Sequence, residues 1–544
     1  MTSEIVNPVV AGFAPDPSMI RVGDDYYLAT STFGWLPGIR LFHSRDLADW
    51  TLIGHALDGH NAPDLRGTGS STGVWAPSLS YDAASATYCL VYSVVWSQNT
   101  EIFDVDNYLV TAPDMRGPWS EPVHLNSIGF DPSLLHDDDG SHWLVTLEWE
   151  TRDGYEHSGA IVLEEYDWDA RKLVGGARRI SRGSTDRGCL EGPNLMKRGG
   201  FYYLLTAEGG TGFGHGVAVA RSDKREGPYS PSPVNPIVTS QPDDYFDRNN
   251  RDYLRPERFN PASAIQKAGH GCLVDTPDGE WYLAHLASRP FADSRRSMLG
   301  RETYVQKVEW TADGWVGMLD GGRLAQERVP GIRGIEYAEP RIADASFADD
   351  FSAPELALRY STVRGRLSDD WERLDAGRLH LRGRQALTSR FDVSLIATPL
   401  QAVTATITTT VEFDPTHFSQ SAGLTLYYDE NNHLYLRVYR SESLNARALG
   451  IDVVERGVRR ELRSDRRAIG DGPVTLVAVL VEGRLQFRAG LVGVEPTDVG
   501  PALDATILSD ETAGGFTGTM VGITARDAFR RELWAEFESF SIAY

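Results

Sequence analysis

The chain has 544 residues, with 76 acidic and 53 basic side chains and a net charge of −23. A surplus of that size repels nucleic-acid phosphates and anionic lipid, so neither nucleic acid nor membrane is an expected partner, while a neutral, hydroxyl-rich ligand stays compatible. The length exceeds what one core usually supports, and two domains are expected.

With 53 glycines, 13 Trp, 22 Tyr and 20 Phe, the composition suits an all-β, turn-rich protein. Cys89, Cys189 and Cys272 are an odd, widely spaced set, read as reduced thiols rather than a disulfide framework. The N-terminus lacks a basic n-region and an apolar h-region, and no run of 18 apolar residues occurs. A soluble, cytoplasmic protein is expected.

In chain order, the first feature is a repeat. Asp16-Pro17-Ser18-Met19-Ile20 returns as Trp75-Ala76-Pro77-Ser78-Leu79, Asp131-Pro132-Ser133-Leu134-Leu135, Glu191-Gly192-Pro193-Asn194-Leu195 and, more loosely, Gly269-His270-Gly271-Cys272-Leu273. Each copy runs into a polar turn and an aromatic strand, as in Gly23-Asp24-Asp25-Tyr26-Tyr27-Leu28, which reads as a β-hairpin. Five units of about 60 residues, the last stretched by a polar insertion over 241–258, predict a five-bladed β-propeller across residues 1–327. The innermost strand of a blade begins near a central cavity, so Asp16, Trp75, Asp131, Glu191 and His270 are expected in one site.

Residues 328–344, with Pro330, Gly331, Gly334 and Pro340, read as a linker with little strand character. From 345 to 544 the 60-residue repeat is gone. Alternation at 402–413, and the strand pairs 424–428/434–439 and 474–481/484–487, predict a β-sandwich of jelly-roll, concanavalin-like type.

Three acids converging beside aromatic side chains fit glycosidic hydrolysis. That reaction needs one protonated acid for the departing oxygen and one carboxylate to activate water or attack carbon. A third acid holds the proton donor and raises its pKa by like-charge repulsion. Taken singly, each acid could equally be a polar side chain lining a propeller channel. No HExxH, CxxC pair, GxSxG elbow or GxxxxGK[ST] loop points to other chemistry.

The run from Asn7 to Ser18, together with Ser31-Thr32-Phe33-Gly34-Trp35, Val74-Trp75-Ala76-Pro77, Phe130-Asp131-Pro132-Ser133, Glu191-Gly192-Pro193-Asn194, Thr206 to Gly212, Gln266 to Gly271 and Leu299-Gly300-Arg301-Glu302-Thr303, resembles the β-xylosidases of glycoside hydrolase family forty-three. That resemblance implies Asp16 as general base, Glu191 as general acid and Asp131 as the residue that orients Glu191 and tunes it. It implies inversion, with the two working carboxyl groups roughly 6.5–9.5 Å apart. It further implies Arg301 at the sugar hydroxyls, Phe33, Trp75 and Trp35 as aromatic walls, and Thr211 and His270 as sugar contacts. The loop 514–518 of the second domain would close the site with Phe516; the plainer reading has Phe516 beginning a strand and packing in the sandwich core.

The implied activity is release of xylose from the non-reducing end of β-1,4-xylo-oligosaccharides. α-L-Arabinofuranosidase or dual activity is the near rival, and a non-catalytic sugar-binding propeller the distant one. No cofactor is required, though the family allows a calcium ion at His270, and a homodimer or homotetramer is implied. Asn194, where family members often carry His, and the length of the 241–258 insertion depart from the pattern.

Overall fold

The computed structural model describes residues 2–98, 102–242, 245 and 254–544. Most of the polar insertion, residues 243–244 and 246–253, lies outside the described residues. The chain divides into two compact units, one of residues 1–63, 71–295 and 301–339, the other of 64–70, 296–300 and 340–544.

The first unit is a five-bladed propeller of antiparallel sheets. The inner strands are Ser18–Val22, Gly73–Asp82, Ser133–His136, Glu191–Arg198 and Gln266–Asp275. Each pairs with an apolar second strand: Asp25–Thr30, Thr87–Ser97, His142–Trp149, Phe201–Glu208 and Trp281–Ser288. The hairpins turn where the sequence places glycine, as at Gly23 (φ 66°) and Gly279 (φ 80°).

At the head of each inner strand one residue holds left-handed backbone: Asp16 (φ 53°), Ala76 (φ 41°), Asp131 (φ 58°), Gly192 (φ 57°) and His270 (φ 50°). Proline follows in the first four, and a residue before proline is already pushed out of the right-handed helical region. The turn interrupts the ladder, with register shifts between Trp75 and Ser78, Glu191 and Asn194, and Gln266 and Gly271. Four of the five heads, Ala76, Asp131, Gly192 and His270, line an axial cavity of only about 20 Å³ together with Pro17 and Ser18. The repeat is therefore in frame at 16, 76, 131, 192 and 270, and Trp75 and Glu191 stand one place earlier than the sequence alignment of heads assumed.

The ring closes through the N-terminal segment. Glu4–Val6 pairs with Arg328–Pro330, a short strand inside the stretch expected to have little strand character. Val9 N donates to Thr303 O (2.9 Å), Ala14 N to Arg301 O (3.0 Å), and the Asn7 side chain bonds both backbone groups of Val305. Glu302, fully buried, accepts from Gly12 N (2.8 Å), from Arg289 at 2.7 and 2.8 Å, and from the Tyr304 hydroxyl (3.2 Å).

The second unit holds two antiparallel sheets. One runs Glu372–Asp375, Arg378–Arg382, Trp534–Ala543, Ala405–Glu412, Val474–Val481, Arg484–Leu491 and Thr497–Asp504. The other runs Ser394–Pro399, Met520–Asp527, Gln420–Asp429, Asn432–Ser441, Ala446–Glu455 and Val458–Glu461. Ala405–Glu412 alternates buried and less buried residues, the period of a half-covered strand. None of the helices among the described residues is long and apolar enough to cross a membrane.

Glu302→Ala leaves the buried Gly12 amide without its acceptor, while the exposed Arg289 returns to water. The expected cost is about 1–3 kcal/mol, that of one unsatisfied buried donor, read as a fall in the midpoint of thermal or denaturant unfolding.

Candidate active site

The bulged heads bring Asp16, Asp131 and Glu191 together. Asp16 is buried, accepts a 2.6 Å hydrogen bond from the Ser31 hydroxyl and faces Arg301 Nη1 at 3.4 Å and His270 Nδ1 at 3.9 Å. Ser31 is itself fixed by the Ala76 amide at 2.7 Å, so the serine of one blade and the head of the next share a single hydroxyl. Asp131 is buried and accepts from the Gly192 amide at 2.9 Å, the residue after Glu191. Its own amide meets the Ser93 hydroxyl at 3.2 Å.

Burial pushes the Asp131 carboxyl up to about 6; His270 opposes the rise and the Asp16 charge adds to it. Glu191 lies well above the usual carboxylate range. Burial is the main cause and the Asp131 charge the next, with Arg301 opposing. The cluster thus separates its acids by environment and keeps Glu191 protonated.

Thr211 and Arg301 form one unit. Arg301, 3% exposed, donates from Nη1 to the Thr211 hydroxyl at 2.5 Å and to Asp16, while its guanidinium lies 5.7 Å from the Phe33 ring centre. Phe33 is almost wholly buried and packs on Phe13 and Trp75. Trp75 continues into a group of rings that the repeat did not select. Phe130 lies 5.5 Å away, Phe103 6.1 Å, and Phe103 stacks on Trp149 at 4.3 Å. Phe103 and Trp149 are only half-buried, so this wall extends towards solvent.

His215 was also missed. Its ring is fully buried, and with burial holding it neutral, Nδ1–H donates to Lys267 O (3.3 Å). That leaves the Nε2 lone pair, which has no hydrogen-bond partner, 3.9 Å from Glu191 Oε1. Gly269 makes room for it: a Cβ there would sit 2.3 Å from the His215 ring.

Trp35 is buried in a two-residue strand, Trp35–Leu36. Phe516 lies in the second unit between the helical turn Asp510–Ala513 and the strand Met520–Asp527, half-buried and outside both. Asn194 lines the axial cavity. Cys89, Cys189 and Cys272 are free thiols, and burial pushes the Cys189 thiol up, against a nucleophilic role.

Residues 5–316 match the glycosyl hydrolases family 43 profile, and residues 348–543 match the β-xylosidase C-terminal concanavalin A-like domain. A xylosidase/arabinosidase 43B of Humicola insolens is 40% identical, with 99% of this chain and 97% of that protein covered. A xylan 1,3-β-xylosidase of a Vibrio species is 38% identical, with 99% of each covered. The crystal structure of a xylan β-1,4-xylosidase from Bacillus halodurans matches with a TM-score of 0.92 at 40% identity, covering 99% of this chain and 100% of that one. With its buried acids set among propeller heads and a concanavalin A-like sandwich behind them in sequence, the chain belongs to glycosyl hydrolase family 43, whose members cleave glycosidic bonds with inversion.

Proposed function

We propose that this hydrolase is an exo-acting β-xylosidase that releases xylose from the non-reducing end of β-1,4-xylo-oligosaccharides. The observation that carries the reading is the split within the acid cluster. Glu191 is kept protonated by burial and by the Asp131 charge, while Asp16 is ringed by the donors Ser31 and Arg301. Asp16 takes a proton from water as that water attacks the anomeric carbon, and Glu191 gives its proton to the departing oxygen. Asp131 touches the backbone beside Glu191 through the Gly192 amide, so it both places the donor and repels its ionised form. His215 Nε2, 3.9 Å from Glu191, is too far to hydrogen-bond the acid and offers the carboxylate no donor.

Trp75, Phe103 and Trp149 supply faces for pyranose C–H groups, and Arg301, steadied by Thr211, reaches the sugar hydroxyls. Xylose as substrate is supported by the names of the similar proteins. Those names include an arabinosidase and a 1,3-linked substrate, so arabinofuranosidase activity is the second reading. Hydrolysis of nitrophenyl β-xyloside against the α-L-arabinofuranoside, with the anomer of the product followed by NMR, decides between them. An ion beside His270 would complete its shell from water: calcium takes six to eight oxygen ligands, and the described residues offer no group of three His, Cys, Asp or Glu side chains to hold a metal. None of the steps above passes through one. The family resemblance also supports a homodimer or homotetramer, which light scattering tests.

Glu191→Ala is expected to lose about 10²–10⁴-fold on xylobiose, the usual scale of general acid catalysis, and far less on an aryl xyloside whose leaving group needs little protonation. Equal losses on both substrates would remove Glu191 from that role. Asp16→Ala is expected to be inactive on either.

Asp131→Asn deletes a negative charge whose repulsion raises Glu191. Glu191 then gives up its proton at lower pH, and the alkaline limb of the kcat/KM profile moves down. An unmoved limb would leave Asp131 without electrostatic influence on the donor.

A further inference from the structure

One face of the second sheet in the second unit is polar and yet buried. Along the strand Asn432–Ser441, Leu434, Leu436 and Val438 turn one way, while His433, Tyr435, Arg437, Tyr439 and Ser441 turn the other, and all are buried. The polar set floors a cavity of about 720 Å³ walled entirely by residues of 386–526. Glycine makes the room: Gly423 and Gly450 stand across from Arg437 on the two neighbouring strands, and a Cβ at Gly450 would lie 2.9 Å from the Tyr439 ring.

Buried polar atoms are almost always hydrogen-bonded. Three at this cavity are not. Tyr439 is 4% exposed with its hydroxyl buried and without a partner, the Nε of Arg526 is in the same condition, and the Nε of Arg437 has only the Asp452 charge at 3.3 Å. The charges are unbalanced as well. Arg437 is held by Glu461 at 2.8 Å and Asp452 at 3.3 Å, and Arg459 by Asp452 at 2.7 Å. Arg526 has no carboxylate at ion-pair distance among the described residues; burial lowers its pKa, Tyr435 and Asp452 oppose the fall, and Arg437 and Arg459 add to it. Six arginines and three acids line the cavity, in a chain whose net charge is −23.

We propose that this groove binds an acidic saccharide, with the sugar carboxylate received by Arg526 and Tyr439. A guanidinium matches a planar carboxylate. Asp452 and Glu461, with Ser421 and Thr524, face the same space and accept hydrogen bonds from sugar hydroxyls, a capacity that a bare inorganic anion would leave unused. Phe418, 53% exposed at the edge, offers an apolar face for a sugar ring. The volume falls within the ~300–1,000 Å³ of ordinary small-ligand sites, enough for a short oligosaccharide. The propeller acids take no part, and the groove belongs to the second unit alone.

The test is calorimetric titration of the full-length chain with three probes: a galacturonic acid dimer, xylotriose carrying a glucuronic acid branch, and inorganic phosphate. Asp16→Asn chain is used for the branched probe so that it is not turned over. Both uronates are expected to bind, weakening as salt is raised, and to lose about tenfold or more in Arg526→Gln and in Tyr439→Phe, as loss of a charge-assisted hydrogen bond predicts. Tyr439→Phe removes only one hydroxyl and guards against misfolding of the arginine variant. Both variants, otherwise wild type, are expected to hydrolyse nitrophenyl xyloside normally. Phosphate binding as tightly as the uronates, or uronate binding that neither variant weakens, overturns the proposal. The galacturonic acid arm does not depend on xylose being the substrate, so failure here and failure of the β-xylosidase reading are told apart.

Discussion

A non-glycine residue at positive φ costs roughly 1 kcal/mol, and the propeller accepts that cost at Asp16, Ala76, Asp131 and His270, with Gly192 in the fifth place. The turn is what swings the chain off the axis and into the inner strand, so every blade needs it whether or not it carries chemistry. Aspartate is among the side chains that tolerate left-handed backbone best. Asp16 and Asp131 therefore serve the turn and the reaction at the same positions, while Ala76 and Gly192 serve the turn and lend the site only their backbone amides, to Ser31 and to Asp131. Glu191 precedes the turn by one residue and still pairs with Ala207 in the ladder, so its carboxyl approaches the cluster from a regular strand.

Crowding follows from that geometry. The charges of Asp131 and Asp16 each make Glu191 harder to ionise, and one cation, Arg301, faces Asp16. The proton is left on Glu191, which has the Asp131 charge beside it and a lone-pair nitrogen on His215 in place of a donor. The acid–base assignment is thus set by what surrounds each carboxylate rather than by differences among the carboxylates themselves.

The five blades and the convergence of Asp16, Asp131 and Glu191 were legible because a propeller writes its inner strand five times, and four of the copies carry the Pro-Ser or Pro-Asn that follows the turn. Trp75 and Glu191 stand one residue before the turn, because the turn itself falls on Ala76 and Gly192, whose side chains carry no chemistry to mark them. Phe103, Trp149 and His215 left no comparable trace. Phe103 precedes a third strand, Trp149 ends a second and His215 sits in a loop, so they reach the site by blade packing that no local pattern records. In the second unit, the sequence marks 434–439 as a strand but does not say that the side carrying His433, Tyr435, Arg437 and Tyr439 is covered. Only the accessible surface of the folded sheet shows that side to be buried.

The seam that closes the ring also assembles the site. The segment that ends at Asp16 is held to blade five by Val9, Val10 and Ala14 bonding Arg301 and Thr303, and by Gly12 on Glu302. Arg301 is thus fixed by its backbone to the chain two residues before Asp16, while its side chain reaches Asp16 itself. A propeller could be closed at any pair of strands. Closing it here means that the hydrogen bonds holding the first and last blades together also set the distance between the carboxylate and its guanidinium. Stability of the closure and geometry of catalysis are in that sense carried by one set of contacts.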